Sequence, residues 1–161
     1  MADYVDIWEG TWISTNEEDT NAINDALVIQ GVSWLVRKAV VYARPSPSLK
    51  SYIKDGVLVL EQTRTIMGYS SYSTWACDRI EFERDEPVVG KVRLTVSRKD
   101  GKYDSLLVKT EPAVDDPTWE ATAEWSIVTE NGERMYIRTA IVGSKVDDRV
   151  ATFTVKLSDD L

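Results

Sequence analysis

The 161-residue chain contains no histidine. That absence removes imidazole general bases, Ser-His-Asp and Cys-His nucleophile systems, and every histidine-containing metal site. The single cysteine, Cys77, rules out an internal disulfide framework and a thiolate zinc site, and it fits a reducing compartment. Phenylalanine is scarce, with two residues against six tryptophans and seven tyrosines. The aromatic surface is therefore mostly of the kind that pairs apolar area with a polar handle. Positive charge is also short: 19 Lys and Arg face 27 Asp and Glu, for a net charge of −8. Long-range repulsion then opposes nucleic acid or an anionic membrane as the main partner, although a local basic patch remains compatible with it. No apolar run approaches the ~18–20 residues of a spanning helix, so no stable membrane insertion is expected. The opening Met1-Ala2-Asp3-Tyr4-Val5-Asp6 is acidic where a signal peptide is basic and then apolar. A cytoplasmic location is the expectation.

No internal repeat, low-complexity tract or Gly/Ser linker divides the chain, and its length suits one domain over residues 1–161. The acidic pairs Glu17-Glu18-Asp19, Asp115-Asp116, Asp147-Asp148 and Asp159-Asp160 fall at turns, helix starts or the tail, and none has EF-hand spacing. No metal or cofactor is expected.

What is present changes period along the chain. A first strand is predicted over Ile7–Ser14. Asn16 to Thr20 then supplies acidic and capping residues for a helix start. Ala22, Ile23, Ala26, Leu27 and Gln30 follow at helical spacing, and Gly31 marks a break. Val32, Leu35, Val36, Ala39, Val40 and Ala43 form a second apolar stripe, which Pro45 and Pro47 end. The helix pair is placed at about 19–44. From Leu49 onward the period is two: Val92, Leu94 and Val96 alternate with polar residues, as do Trp119, Ala121, Ala123, Trp125 and Ile127. Asp55-Gly56, Asp100-Gly101 and Asn131-Gly132 mark tight hairpin turns, and a further turn is expected across Gly143–Asp148. Seven to nine strands in hairpin succession leave two open edges unless the meander closes. The predicted fold is mainly β: an antiparallel up-and-down β-barrel, closed all round, with a two-helix lid after the first strand. A sandwich is the rival.

Gly10-Thr11-Trp12, the helical pair with Ala26-Leu27, Arg37-Lys38 and Ala43-Arg44-Pro45, and the Asp55-Gly56 hairpin resemble the intracellular fatty-acid-binding protein family, within the lipocalin-like calycin group. The resemblance runs from Gly10 to Leu60 in residues and beyond that in pattern. It implies a ligand-enclosing barrel. It also implies a carboxylate clamp made by Arg-x-Tyr on the last strand and a second arginine earlier. Arg149-Val150-Ala151 matches the first with alanine at the tyrosine position. Val128 stands at the second, with Arg138 the nearest substitute.

Tyr69, Ser71, Ser73, Trp75 and Cys77 share one strand face, with small residues between aromatics, and are the main candidate cavity wall; an ordinary strand with a wet face has the same pattern. Trp125 lies on an apolar face where core packing competes with ligand contact. Trp34, off its helix stripe, is a candidate for the portal or for plain exposure. Val36 and Val40 would rest on the barrel mouth. Arg138, in line with Tyr136, either meets an acceptor inside or points into solvent. The candidate ligand-binding set is thus Trp34, Val36, Val40, Tyr69, Ser71, Trp75, Trp125, Tyr136, Arg138 and Arg149, with no catalytic residue assigned.

The leading expectation is enclosure of an apolar or aromatic small molecule. The alternative is a cofactor-independent cyclase, pericyclase of Diels–Alder type or isomerase using the same cavity, which needs only a shaped, dry site with a few polarising groups. An interaction module with a filled barrel is the third. The sequence carries no signal of oligomeric state.

Overall fold

A computed structural model of the chain describes residues 3–4, 6–15, 20–43, 46–66, 68–86 and 88–159. After β1 (Asp3–Tyr4) come β2 (Gly10–Ser14), α1 (Thr20–Ile29), α2 (Trp34–Ala43), β3 (Ser48–Lys54), β4 (Val57–Ile66) and β5 (Tyr69–Ala76). The chain continues through β6 (Phe82–Glu86), β7 (Gly90–Arg98), β8 (Ser105–Pro112), β9 (Trp119–Glu130), β10 (Glu133–Ser144) and β11 (Val150–Asp159). The helix start proposed at Asn16–Asp19 and the Arg44-Pro45 stop lie outside the described residues.

The strands pair in the order β5-β4-β3-β2-β11-β10-β9-β8-β7-β6, with β1 added to β3. All these pairings are antiparallel. Up-and-down succession thus curls the sheet into a barrel, and β2 joins its two halves by pairing with both β3 and β11. Among the described residues the ring of ladders is not complete, contrary to the expectation of full closure: β5 and β6 end the pairing path and do not pair with each other. The reason is local. β6 is a short, charged strand, Phe-Glu-Arg-Asp-Glu, and its Arg84 side chain donates to the Thr74 carbonyl on β5. A guanidinium thereby takes an acceptor that a ladder amide would otherwise use.

Asp55-Gly56 and Asn131-Gly132 make the expected two-residue turns, with positive φ at all four residues. Asp100-Gly101 also has positive φ, but it belongs to a short 3-10 turn, Lys99–Gly101, in a longer connection from Arg98 to Ser105. The tight hairpin expected there does not form.

One end of the barrel is plugged. Trp8 and Trp12 are fully buried and meet Tyr136 edge-on, with ring centroids 5.7 and 5.8 Å apart. Both indole N–H groups are satisfied, Trp8 Nε1 by the Tyr103 carbonyl at 2.7 Å and Trp12 Nε1 by the Trp8 carbonyl at 3.2 Å. Arg134 stacks over Trp12 at 5.0 Å and pairs with Asp159 at 2.7 Å, tying β10 to β11 and to the chain before β2. Gly10 is required here: its φ is +142°, and a Cβ would come within 3.0 Å of Asp159 Oδ1.

The helices follow β2. α1 packs against β10 and β11, whereas α2 packs chiefly on α1. Arg37 sets this arrangement, donating to Asn24 Oδ1 on α1 at 3.0 Å and to the Val32 carbonyl at 2.7 Å. With Arg37 turned toward α1, Leu35 is 72% exposed and Val36 is also exposed, so the apolar stripe of α2 does not rest on the barrel as expected.

Candidate functional site

The inward face of a strand is set by its two-residue period, and in this barrel that face is apolar in most places. Val92 and Leu94 of β7, Val108 of β8, Ala123 and Trp125 of β9, Ala140 of β10, and Phe153, Val155 and Leu157 of β11 surround a cavity of about 540 Å³. Ile23 and Leu27 of α1 close over it, joined by Val40 of α2. Across the interior, Trp75 and Trp125 meet edge-on with centroids 5.3 Å apart.

Polar groups enter this apolar space from a few strands. The inward run Leu58, Leu60, Gln62 on β4 continues in phase to Arg64, β6 contributes Arg84 and Glu86, and β10 contributes Arg138. Arg138 lies over Trp125 at 4.7 Å, and Arg84 over Trp75 at 4.8 Å and Phe82 at 5.2 Å. Such stacking holds a planar cation against a ring while leaving its edge free to donate. Burial lowers the pKa of Arg64, the nearby Arg138 charge lowers it further, and the Glu86 charge acts the other way. Arg84 is lowered by burial and raised by Glu86. Even so, no ion pair among the described residues involves Arg64, Arg84 or Arg138.

Three donors in this region are buried without an acceptor: Arg64 Nε, Arg84 Nη1 and Trp125 Nε1. Among the described residues no group of three His, Cys, Asp or Glu is placed to hold a metal ion. A second hollow, on the outer face of β7 and β8, is lined by Arg79, Arg98, Lys99 and Lys109, so a local basic patch exists despite the net charge.

The sequence-derived candidates separate into three groups. Val40, Ser71, Trp75, Trp125 and Arg138 line the cavity, and Arg138 points inward rather than into solvent. Tyr136 shares the inward face of β10 but is spent in the plug with Trp8 and Trp12, and burial raises its pKa. Trp34 is 63% exposed, with Lys38 over its ring at 5.5 Å, and Val36 is exposed beside it. Arg149 precedes β11, is exposed, and pairs with Asp147 at 3.0 Å. The Arg149-Val150-Ala151 register is therefore corrected: the last strand presents Phe153, Val155 and Leu157 to the cavity. Tyr69 lies on β5, with its side chain outside the described residues. Sequence reasoning missed Arg64 and Arg84; the phase of Leu58, Leu60 and Gln62 was the available signal for Arg64.

Neither a family model nor a curated protein matches the sequence. Solved structures do match. The Schistosoma mansoni fatty acid binding protein in complex with arachidonic acid aligns over 96% of each chain at 12% identity, with a TM-score of 0.62. As-p18, described as an extracellular fatty acid binding protein, aligns over 98% of this chain and 99% of its own at 16% identity, with a TM-score of 0.65. No helix among the described residues is long and apolar enough to cross a membrane. The chain shares the up-and-down β-barrel fold of these two fatty acid binding proteins, with a helix pair after the first barrel strand.

Proposed function

We propose that the protein binds a hydrophobic small molecule inside its barrel. The observation that carries this reading is the cavity of about 540 Å³ inside the barrel, with predominantly apolar walls. That volume falls within the roughly 300–1,000 Å³ typical of small-molecule sites. A domain of this size gains stability by filling its interior, and an unfilled hollow forgoes dispersion contacts. The two structural neighbours support the reading by their descriptions as fatty acid binding proteins, one of them holding arachidonic acid. The wall residues Ser71, Trp75, Trp125 and Arg138, with Val40 in the lid, are the contacts assigned to the ligand.

The test is titration of delipidated protein with a neutral apolar fluorophore, followed by tryptophan quenching and native mass spectrometry. One-to-one saturable binding that quenches tryptophan emission is expected, since Trp75 and Trp125 face the cavity. If neutral probes of several sizes show no saturable binding, the enclosure reading fails.

A further inference from the structure

The hollow on the outside of the barrel has no part in enclosure. Its floor is the outward face of β7 and β8, where Thr95 pairs with Lys109 and Ser97 with Leu107 across the ladder. Arg98 and Lys99 reach it from the end of β7 and the turn that follows, and Arg79 from the connection between β5 and β6. That end of the barrel is the plugged one, since the Tyr103 carbonyl in the β7–β8 connection accepts from Trp8 Nε1. The helix pair follows the other end of β2.

Three of the four cations here are uncompensated. Arg79, Arg98 and Lys109 form no ion pair among the described residues. Lys99 pairs with Glu124 at 3.0 Å, and Asp100 is the one carboxylate in the wall of the hollow. Like charges gathered in one recess repel each other, in a chain where 27 acidic residues were available against 19 basic ones. The Arg98 guanidinium is held in place, over Tyr103 at 4.4 Å and donating to the Gly101 carbonyl at 2.8 Å, which leaves further donors on its fork. Arg79 has a φ of +65°, where glycine is the unstrained choice, and its amide is pinned to the Val96 carbonyl at 3.0 Å. Folding alone gives no reason to put a long cation at this position.

We infer that this hollow binds a small molecule bearing two or more phosphate groups, through Arg79, Arg98 and Lys109, with the Thr95 and Ser97 hydroxyls donating to the same oxygens. Its volume of about 540 Å³ lies within the roughly 300–1,000 Å³ of small-molecule sites. One phosphate group carries about −1.5 to −2 charge, so three uncompensated cations match more than one. A guanidinium grips phosphate oxygens in pairs, and lysine adds a point charge. A free polyphosphorylated metabolite and the phosphorylated head group of a lipid present this same chemistry.

The experiment titrates the full chain with inositol trisphosphate and with orthophosphate by calorimetry, in about 0.1 M salt, where long-range attraction is screened. One-to-one binding of the trisphosphate, at least tenfold tighter than orthophosphate, is expected. Arg79→Gly and Lys109→Gln should each weaken it roughly 10- to 100-fold. Arg79→Gly also relieves the strained φ, so its melting temperature should not fall, which separates lost binding from lost fold. Lys91→Gln, the same charge change at the other end of β7, should leave affinity within about twofold. Phosphatidylcholine vesicles with and without phosphatidylinositol bisphosphate distinguish the two sources. Capture by the bisphosphate vesicles alone assigns the lipid head group, whereas trisphosphate binding without capture assigns a free metabolite. No saturable binding of the trisphosphate, or an equal loss in Lys91→Gln, overturns the inference and leaves enclosure untouched.

Discussion

Cys77 follows the inward face of β5, is buried, and has its thiol pKa pushed up to about 12, mainly by burial and next by the Asp78 charge. A group whose folded pKa lies above its unfolded value of 9.0 favours the fold while protonated. Its contribution is complete below about 9 and is lost as pH rises toward 12. Buried Tyr136, also raised by burial, acts in the same direction. Native protein at pH 8 should therefore leave Cys77 unreactive toward a disulfide reagent that labels it at once in urea. Stability should decline above pH 9, and Cys77→Ala should remove part of that decline. Rapid labelling of the native state would contradict the burial of this thiol. At this scale the sequence was legible where a period could be followed. Alternation put Ser71 and Trp75 on one strand face and Trp125 on an apolar one, but it left open whether the Ser71 face looked inward; the structure lines the cavity with all three. Arg64 and Arg84 were missed, because a charged residue on a strand reads as solvent-facing unless its phase is counted from the apolar neighbours. Tyr136 was grouped with Arg138 and Ala140 by alternation, but only three-dimensional packing shows that Trp8 and Trp12 claim it.

Elements behave differently from residues because each is fixed by what it packs against. The helix pair was legible from spacing and from Gly31, whose φ is +77°. The division of labour between its members was not. α1 places Ile23 and Leu27 over the cavity, while α2 reaches it through Val40. The rotation of α2 follows from the Arg37 bonds to Asn24 and to the Val32 carbonyl, and helical spacing cannot encode a bond between two elements. This separates two neighbouring valines. Val40→Asp places a carboxylate at the cavity wall and should weaken a neutral apolar probe by about 1–3 kcal/mol, five- to 150-fold in affinity. Val36→Asp, on the solvent side, should shift it by less than about 0.5 kcal/mol. Equal effects at the two positions, measured by probe titration, would mean that α2 lies on the barrel along its whole stripe.

At the scale of the molecule, the succession of hairpins made a curled meander readable, but the pairings that shape the ring are distant in sequence. β2 pairs with β3 and β11 over only a few residues on each side, and no local signal announces that β5 and β6 stay apart. The consequence is an uneven distribution of cooperativity. β9 and β10 are laddered along their whole length and each has a second partner, whereas among the described residues β6 has a ladder with β7 only. Across the unpaired seam, the Arg84 bond to the Thr74 carbonyl is a direct polar link, reinforced by its stacking on Trp75. Local opening should therefore begin at β5 and β6, with amide exchange there far faster than in β9 and β10. Arg84→Met keeps apolar length but removes the charged donor. Losing a bond from a charged donor costs about 1.5–3 kcal/mol, so exchange in β5 and β6 should accelerate by at least tenfold while β9 and β10 stay near their original rates. If the four strands accelerated equally, Arg84 would be supporting global stability, and the seam would not be an independent opening unit.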